Sequence, residues 1–159
     1  MCYEVTIGIP VYKAVDYIGK TMESALNQSF VNIEYLVIDD CGNDGSIEIV
    51  ERYTLEHPRG KDVRIIYNDK NYGVGYTRNR ILEEASGQYL YYLDSDDIIE
   101  PNTIQLMIDK MKIHHADVVY GSLERIDLVG DSQNQYMILP DLCIDSEDGM
   151  AIYAFKNYN

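Results

Sequence analysis

The sequence predicts one α/β domain with a mostly parallel central sheet flanked by helices. Three observations point that way. Runs with the composition of buried strands alternate four times with runs at helical spacing, the pattern of a βαβ chain. Two strand-like runs end in clustered carboxylates, Asp39-Asp40 and Asp94-Ser95-Asp96-Asp97. A length of 159 residues with 46% hydrophobic content suits a single domain with a real core.

The elements follow in order. Residues 5–9 read as a first buried strand, ended by Pro10, with Val11, Tyr12 and Lys13 opening a loop. Val15, Ile18, Met22 and Leu26 recur at helical spacing up to Asn27-Gln28. Residues 35–39 form a second strand. The Gly, Asn and Asp of residues 41–46 supply turn chemistry, with Asp44 or Ser46 placed to cap a helix carrying Ile47, Val50 and Tyr53. That helix ends before His57-Pro58. Residues 63–67 are a third strand and 68–75 a loop punctuated by Gly73 and Gly75. Thr77, Ile81 and Ala85 mark a helix from about Val74, stopped by Gly87. Residues 89–93 are the fourth strand. Pro101 stands near the start of a helix with Ile104, Met107 and Met111 inward, and residues 117–123 are expected to add a fifth strand. Beyond Arg125 the pattern weakens, with a hairpin expected in 127–140 and a helix over 147–156.

Composition narrows the function. The net charge of −14 argues against a nucleic-acid partner, which needs a positive field. The three cysteines are odd in number and widely spaced, which points to a reducing, cytoplasmic setting. His57, His114 and His115 show no metal-ligand spacing. Fifteen tyrosines against two phenylalanines and no tryptophan place Tyr in half-buried core positions. No Walker motif is present, and no Gly-x-Gly-x-x-Gly follows the first strand.

The acidic strand ends carry the chemistry. In an open α/β sheet, ligands bind outside the carboxyl ends of the strands, and both exits open on that edge. Asp94 and Asp96 leave an extended chain on the same side. Two such charges about 4 Å apart repel by roughly 4 kcal/mol at an effective dielectric near 20. A cation converts that repulsion into coordination. Mg²⁺-like ions are held by one or two carboxylates plus substrate phosphates. Arg78 and Arg80, near the start of the third helix, are candidates to reach an anionic ligand.

Five segments in order resemble the family 2 glycosyltransferases of the GT-A fold. These are residues 5–12, residues 24–30, residues 33–46 with the paired acids, Asn71-Tyr72-Gly73-Val74-Gly75-Tyr76-Thr77-Arg78-Asn79, and residues 86–97 with the Asp-x-Asp. The resemblance implies a nucleotide-sugar-binding core over 1–125 and the start of an acceptor-side region over 126–159. It implies that Pro10 and Tyr12 lie against the base, that Asp40 accepts a hydrogen bond from it, and that Asp39 lines the same pocket. Arg78 is expected at the diphosphate, with Ser95 in the donor site. Asp94 is expected at the ribose or metal shell, and Asp96 as the main ligand of Mn²⁺ or Mg²⁺. Asp97 caps the next helix or orients its neighbours.

The implied reaction is inverting, metal-dependent transfer of a sugar from a nucleotide-sugar donor, a UDP-sugar by family habit, to a glycan or lipid-linked acceptor. Two features depart from the family. Cys41 stands where Gly is usual. Little chain follows Asp97, so the catalytic base is expected beyond Asn159, with Asp141, Asp145, Glu147 and Asp148 the only acidic cluster in the tail. The alternative is a truncated, inactive nucleotide-binding module of the same fold. Peripheral association with the inner face of a membrane is expected only through a further C-terminal region.

Overall fold

The computed structural model describes residues 3–126 and 132–137. It falls into two compact units, Met1–Ile104 and Gln105–Asn159. The first unit holds four parallel strands, β1 (Val5–Val11), β2 (Ile33–Asp39), β3 (Val63–Tyr67) and β4 (Tyr89–Tyr92), in the order β3-β2-β1-β4. Helices α1 (Ile18–Leu26), α2 (Ser46–Glu56) and α3 (Val74–Glu84) make the crossovers between successive strands, and a short 3-10 turn at Gly60–Asp62 leads into β3. This is the mostly parallel α/β sheet expected.

Burial follows position in the sheet. All of β1 and nearly all of β2 are buried, while β3 and β4 are half-buried. Central strands covered on both faces read as continuous apolar runs. Leu36, Ile38 and Ile81 form a buried cluster with Ile66 and Leu90 packed against it. Gly8 is required by this packing, since a Cβ there would lie 2.3 Å from Ile81 Cγ2. Its missing side chain lets α3 approach β1.

The strand order sets the site. β1 leads to β2 and β3 on one side, and the chain then returns to place β4 on the other. A topological switch point therefore lies between the carboxyl ends of β1 and β4. Pro10 was expected to end β1, but the strand runs on to Val11, paired with β2 as far as Asp39. Pro10 instead marks the end of the β4 ladder, which stops at Gly8↔Tyr92. The Gly8 carbonyl accepts from Leu93 N–H, and the Val11 carbonyl from Asp40 N–H. Residues of Pro10's parity thus face β4, where the ladder has already ended and no N–H is needed.

At the amino end of the sheet, buried Glu34 is saturated with donors. Thr6 Oγ1 (2.7 Å), Ser86 N–H (2.9 Å) and Ser86 Oγ (2.8 Å) donate to Oε2, and Arg64 Nε (3.1 Å) donates to Oε1. Gly87 N–H donates to Thr6 Oγ1 in turn, which clamps the α3–β4 connection to the sheet. Burial pushes the Glu34 carboxyl up, but the Ser86 and Thr6 donors and the Arg64 charge outweigh it and hold the pKa below the ordinary value of 4.5.

Other elements differ from expectation. Gly45, before α2, lies in the left-handed region and makes no side-chain cap. Asp44 supplies one cap-like bond, its Oδ1 accepting from Ser46 N–H (3.2 Å), while its Oδ2 and Ser46 Oγ are drawn to the chain after β1, as described below. In the second unit, the expected fifth strand over 117–123 is absent. Val118 and Tyr120 stay exposed, and a strand begins only at Leu123. The short apolar run has the composition of a strand, but among the described residues no strand pairs with it. β5 (Leu123–Ile126) pairs antiparallel with β6 (Ser132–Met137), giving the hairpin with its first arm earlier than expected. A helix α4 (Thr103–His114) precedes them. The helix expected over 147–156 lies outside the described residues. Among the described residues, no helix is long and apolar enough to cross a membrane.

Glu34→Gln should cost about 2–4 kcal/mol at neutral pH, because it weakens a buried acceptor and leaves Arg64 half-paired. Since the folded pKa is lowered, the contribution is complete above 4.5 and is lost as pH falls through the folded value. Urea unfolding of both proteins should show a gap at pH 7 that narrows as the pH is taken below 4.5.

Candidate functional site

The chain leaving β1 and the chain leaving β2 are tied together. Ala14 N–H donates to Ser46 Oγ (3.0 Å), and Val15 N–H donates to Asp44 Oδ2 (3.1 Å). Ser46 Oγ donates to Asp44 Oδ1 (2.6 Å). Lys13, Cys41 and Asn43 all have φ between 51° and 62°. That left-handed geometry explains why a Gly suits position 41, because a Cβ there carries a steric cost. Gly42 is fixed by space, since a Cβ would sit 2.8 Å from Lys13 N. Tyr12 projects from this loop as an exposed residue, with the Lys13 ammonium 5.3 Å from its ring centroid.

Asp40, at the end of β2, is 3% exposed and holds the next loop. Its Oδ1 accepts from Asn68 Nδ2 (2.7 Å) and Tyr72 N–H (2.9 Å), and its Oδ2 accepts from Gly73 N–H (2.8 Å). Burial raises its pKa, but the Tyr72, Asn68, Gly73 and Thr77 donors prevail and lower it. Arg80 donates to Asn68 Oδ1 and to the Tyr67 carbonyl, which commits it to this scaffold. Gly73, with φ 86°, sits at the start of α3, and its N–H donates to both Asp40 Oδ2 and Asn71 Oδ1.

The chain leaving β4 turns sharply. Asp97 N–H donates to the Asp94 carbonyl (3.0 Å), so the Asp-x-Asp lies on a tight turn. Asp94 Oδ1 is paired with Arg78 Nη2 at 2.5 Å, both side chains being about two-fifths exposed. Desolvation, then the charges of Asp96 and Asp94, push the Asp97 carboxyl up, although the residue keeps exposed surface. Arg78 Nε is buried without a hydrogen-bond partner, the only such side-chain nitrogen or oxygen among the described residues.

These exits enclose a cleft of about 550 Å³ at the switch point, a size suited to a small-molecule ligand. Seven of the eight residues expected at the site line it: Pro10, Tyr12, Asp40, Arg78, Asp94, Ser95 and Asp96. Asp39 is not in the lining, because its Oδ1 accepts Gly42 N–H and stabilises the turn behind. Asn71 and Thr77 line the cleft without having been singled out. The signal for them was the Asn-x-Gly spacing of a turn, with Thr77 one turn of helix beyond. Among the described residues, no three His, Cys, Asp or Glu side chains gather to hold a metal alone. Asp94 and Asp96 are hard oxygen donors and fit Mg²⁺ or Mn²⁺ only as a partial shell that a ligand's oxygens complete.

The profile described as Glycosyl transferase family 2 matches residues 6–152. An uncharacterized glycosyltransferase of Haemophilus influenzae is 35% identical over 80% of this chain and 50% of its own length. The structure of Staphylococcus aureus TarS 1-349 in complex with UDP-GlcNAc superposes with a TM-score of 0.66 at 29% identity, covering 72% of this chain and 32% of TarS. The mannosyltransferase PcManGT of Pyrobaculum calidifontis, in complex with GDP-Man and Mn²⁺, shares the fold with a TM-score of 0.66 at 21% identity, over 77% of this chain and 36% of its own. The chain thus spans half or less of the length of these proteins.

Asp40→Asn turns an amide NH₂ toward backbone donors and should cost about 1–3 kcal/mol. Hydrogen exchange at the Tyr72 and Gly73 amides should speed up at least tenfold. Unchanged protection there would show that Asp40 does not hold the loop.

Proposed function

The chain belongs to glycosyl transferase family 2, and on that premise we propose that it binds a UDP-sugar and transfers the sugar, with inversion, to a hydroxyl of a glycan or lipid-linked acceptor. One observation carries this: Arg78, Asp94 and Asp96 line a single cleft with Tyr12 and Asp40. In this reading the exposed Tyr12 ring stacks on the base, with Pro10 beside it. Asp40, which lines the same cleft, accepts a hydrogen bond from the base. Ser95 lies in the donor site between the two carboxylates in sequence, and Asp94 and Asp96 would hold a divalent cation beside the diphosphate.

Arg78 is poised for the diphosphate. It has a buried donor without a partner, and a diphosphate oxygen is the acceptor that such a donor lacks. Its guanidinium meets the negative charge that grows as the diphosphate departs. Mn²⁺ or Mg²⁺, when bound, would supply further neutralisation of that charge. UDP-GlcNAc in TarS and Mn²⁺ in PcManGT support the ligand class. A carboxylate base takes the acceptor proton. The acidic residues Asp141, Asp145, Glu147 and Asp148 lie outside the described residues, and no role is given to them.

Calorimetry with UDP, GDP and dTDP, with and without Mn²⁺, tests the proposal. UDP should bind best and should need the metal. Asp96→Ala should weaken Mn²⁺-dependent binding by about 100-fold, equivalent to roughly 3 kcal/mol. Equal UDP affinity with and without Mn²⁺ would remove the role given to Asp96.

A further inference from the structure

Helix α1 carries a row of polar side chains that reach beyond the helix, although Ser24 Oγ and Gln28 Nε2 also donate to its own carbonyls at Thr21 and Ser24. Thr21, Ser24 and Gln28 fall at i, i+3 and i+7, on one side of the helix and its C-terminal extension. Each bonds the backbone that follows β4. Thr21 Oγ1 donates to the Ser95 carbonyl (2.9 Å). Ser24 Oγ accepts from Ile99 N–H (3.3 Å). Gln28 Nε2 donates to the Glu100 carbonyl (2.8 Å), and its Oε1 accepts from Ile104 N–H (3.1 Å). Ser29 N–H adds a bond to the Pro101 carbonyl (2.7 Å). Thr21 is fully buried and Gln28 nearly so.

We infer that this row is a positioning device for the Asp94–Asp96 turn, with Thr21 its decisive member. The turn needs one. Asp94 and Asp96 repel each other, and the described hydrogen bonds to either carboxylate come to a single ion pair, Asp94 with Arg78. Within the turn, the one bond between backbone groups is Asp97 N–H to the Asp94 carbonyl. The Ser95 carbonyl lies between the two carboxylates, and its anchor is a buried hydroxyl on a rigid helix. Fixing that peptide limits how the flanking side chains can spread. Thr21 touches no ligand in this scheme and acts through the main chain. The inference rests on the proposal that these carboxylates hold a divalent cation beside a diphosphate.

The test uses the full chain, Mn²⁺ and UDP. Thr21→Val keeps the shape and removes the donor, while Thr21→Ser keeps the donor. Calorimetric titration should show Thr21→Val needing about tenfold more Mn²⁺ to support UDP binding, the usual scale for an outer-shell partner. Thr21→Ser should stay within about twofold of the parent, and metal-free UDP binding should not change in either. Ser24→Ala, at a half-buried position that spares the core, should raise the Mn²⁺ requirement by a smaller factor and serves if Thr21→Val does not fold. A purely structural role predicts a lower Tm for these variants with the Mn²⁺ requirement unmoved, and that result overturns the inference. If the parent itself shows no Mn²⁺-dependent UDP binding, the functional proposal fails and takes the inference with it. If the parent binds and Asp96→Ala does not, an unmoved Thr21→Val defeats the inference alone.

Discussion

Pro10 cannot donate a hydrogen bond, and its place on β1 decides where the sheet opens. β1 is parallel to β2 on one side and to β4 on the other, with the β4 ladder ending at Gly8. Past that point the two strands part, and their exits form the walls of a crevice. Everything in the candidate site depends on this separation. Tyr12, Asp40 and the Asp94–Asp96 turn come from three different exits, and the strand order brings them to one place. Gly8 supports the same geometry by letting α3, with Arg78 on it, lie close to β1.

The carboxylates divide by what surrounds them. Glu34, Asp40 and Asp44 are each wrapped in hydrogen-bond donors, which more than offset their burial and hold them ionised. They are fasteners: one at the amino end of the sheet, one for the loop before α3, one for the loop after β1. The Asp94-Ser95-Asp96-Asp97 turn is different. Asp94 pairs with one guanidinium, and Asp97 is pushed upward by desolvation and then by the charges of Asp96 and Asp94. A protein of net charge −14 has many acids to spare for its surface. Placing this group in a cleft leaves an electrostatic need that the proposed ligand-borne cation would meet.

The strands and helices of the first unit were legible in the sequence because central parallel strands are apolar throughout and the helices between them are amphipathic. The acidic exits were legible for the same reason, since the charge begins where the apolar run stops. What periodicity cannot carry is partnership. Val118 and Tyr120 look like strand residues, yet no neighbouring strand receives them. Asp44 accepts the first amide of α2 as its identity suggests, but Asp44 and Ser46 also hold the amides of Val15 and Ala14 across more than twenty residues of sequence, which periodicity does not show. Asp39 and Asp40 are adjacent and chemically equal, and only the twist of the chain decides that one faces the cleft and the other its own turn. Ser24 and Gln28 of the polar row on α1 were visible within the segment 24–30, but Thr21 was not, and the row's partners emerged only when the backbone it holds was beside it.

The central claim is that the cleft at the switch point between β1 and β4 takes a nucleoside diphosphate with a divalent cation. Backbone NMR of the chain titrated with UDP and Mg²⁺ tests it most directly. The account predicts amide shift changes concentrated at residues 10–12, 71–78 and 94–96. Changes centred instead on the shallow groove formed by Lys20, Asn27, Ile98 and Pro101, or none at saturating UDP and Mg²⁺, would contradict it.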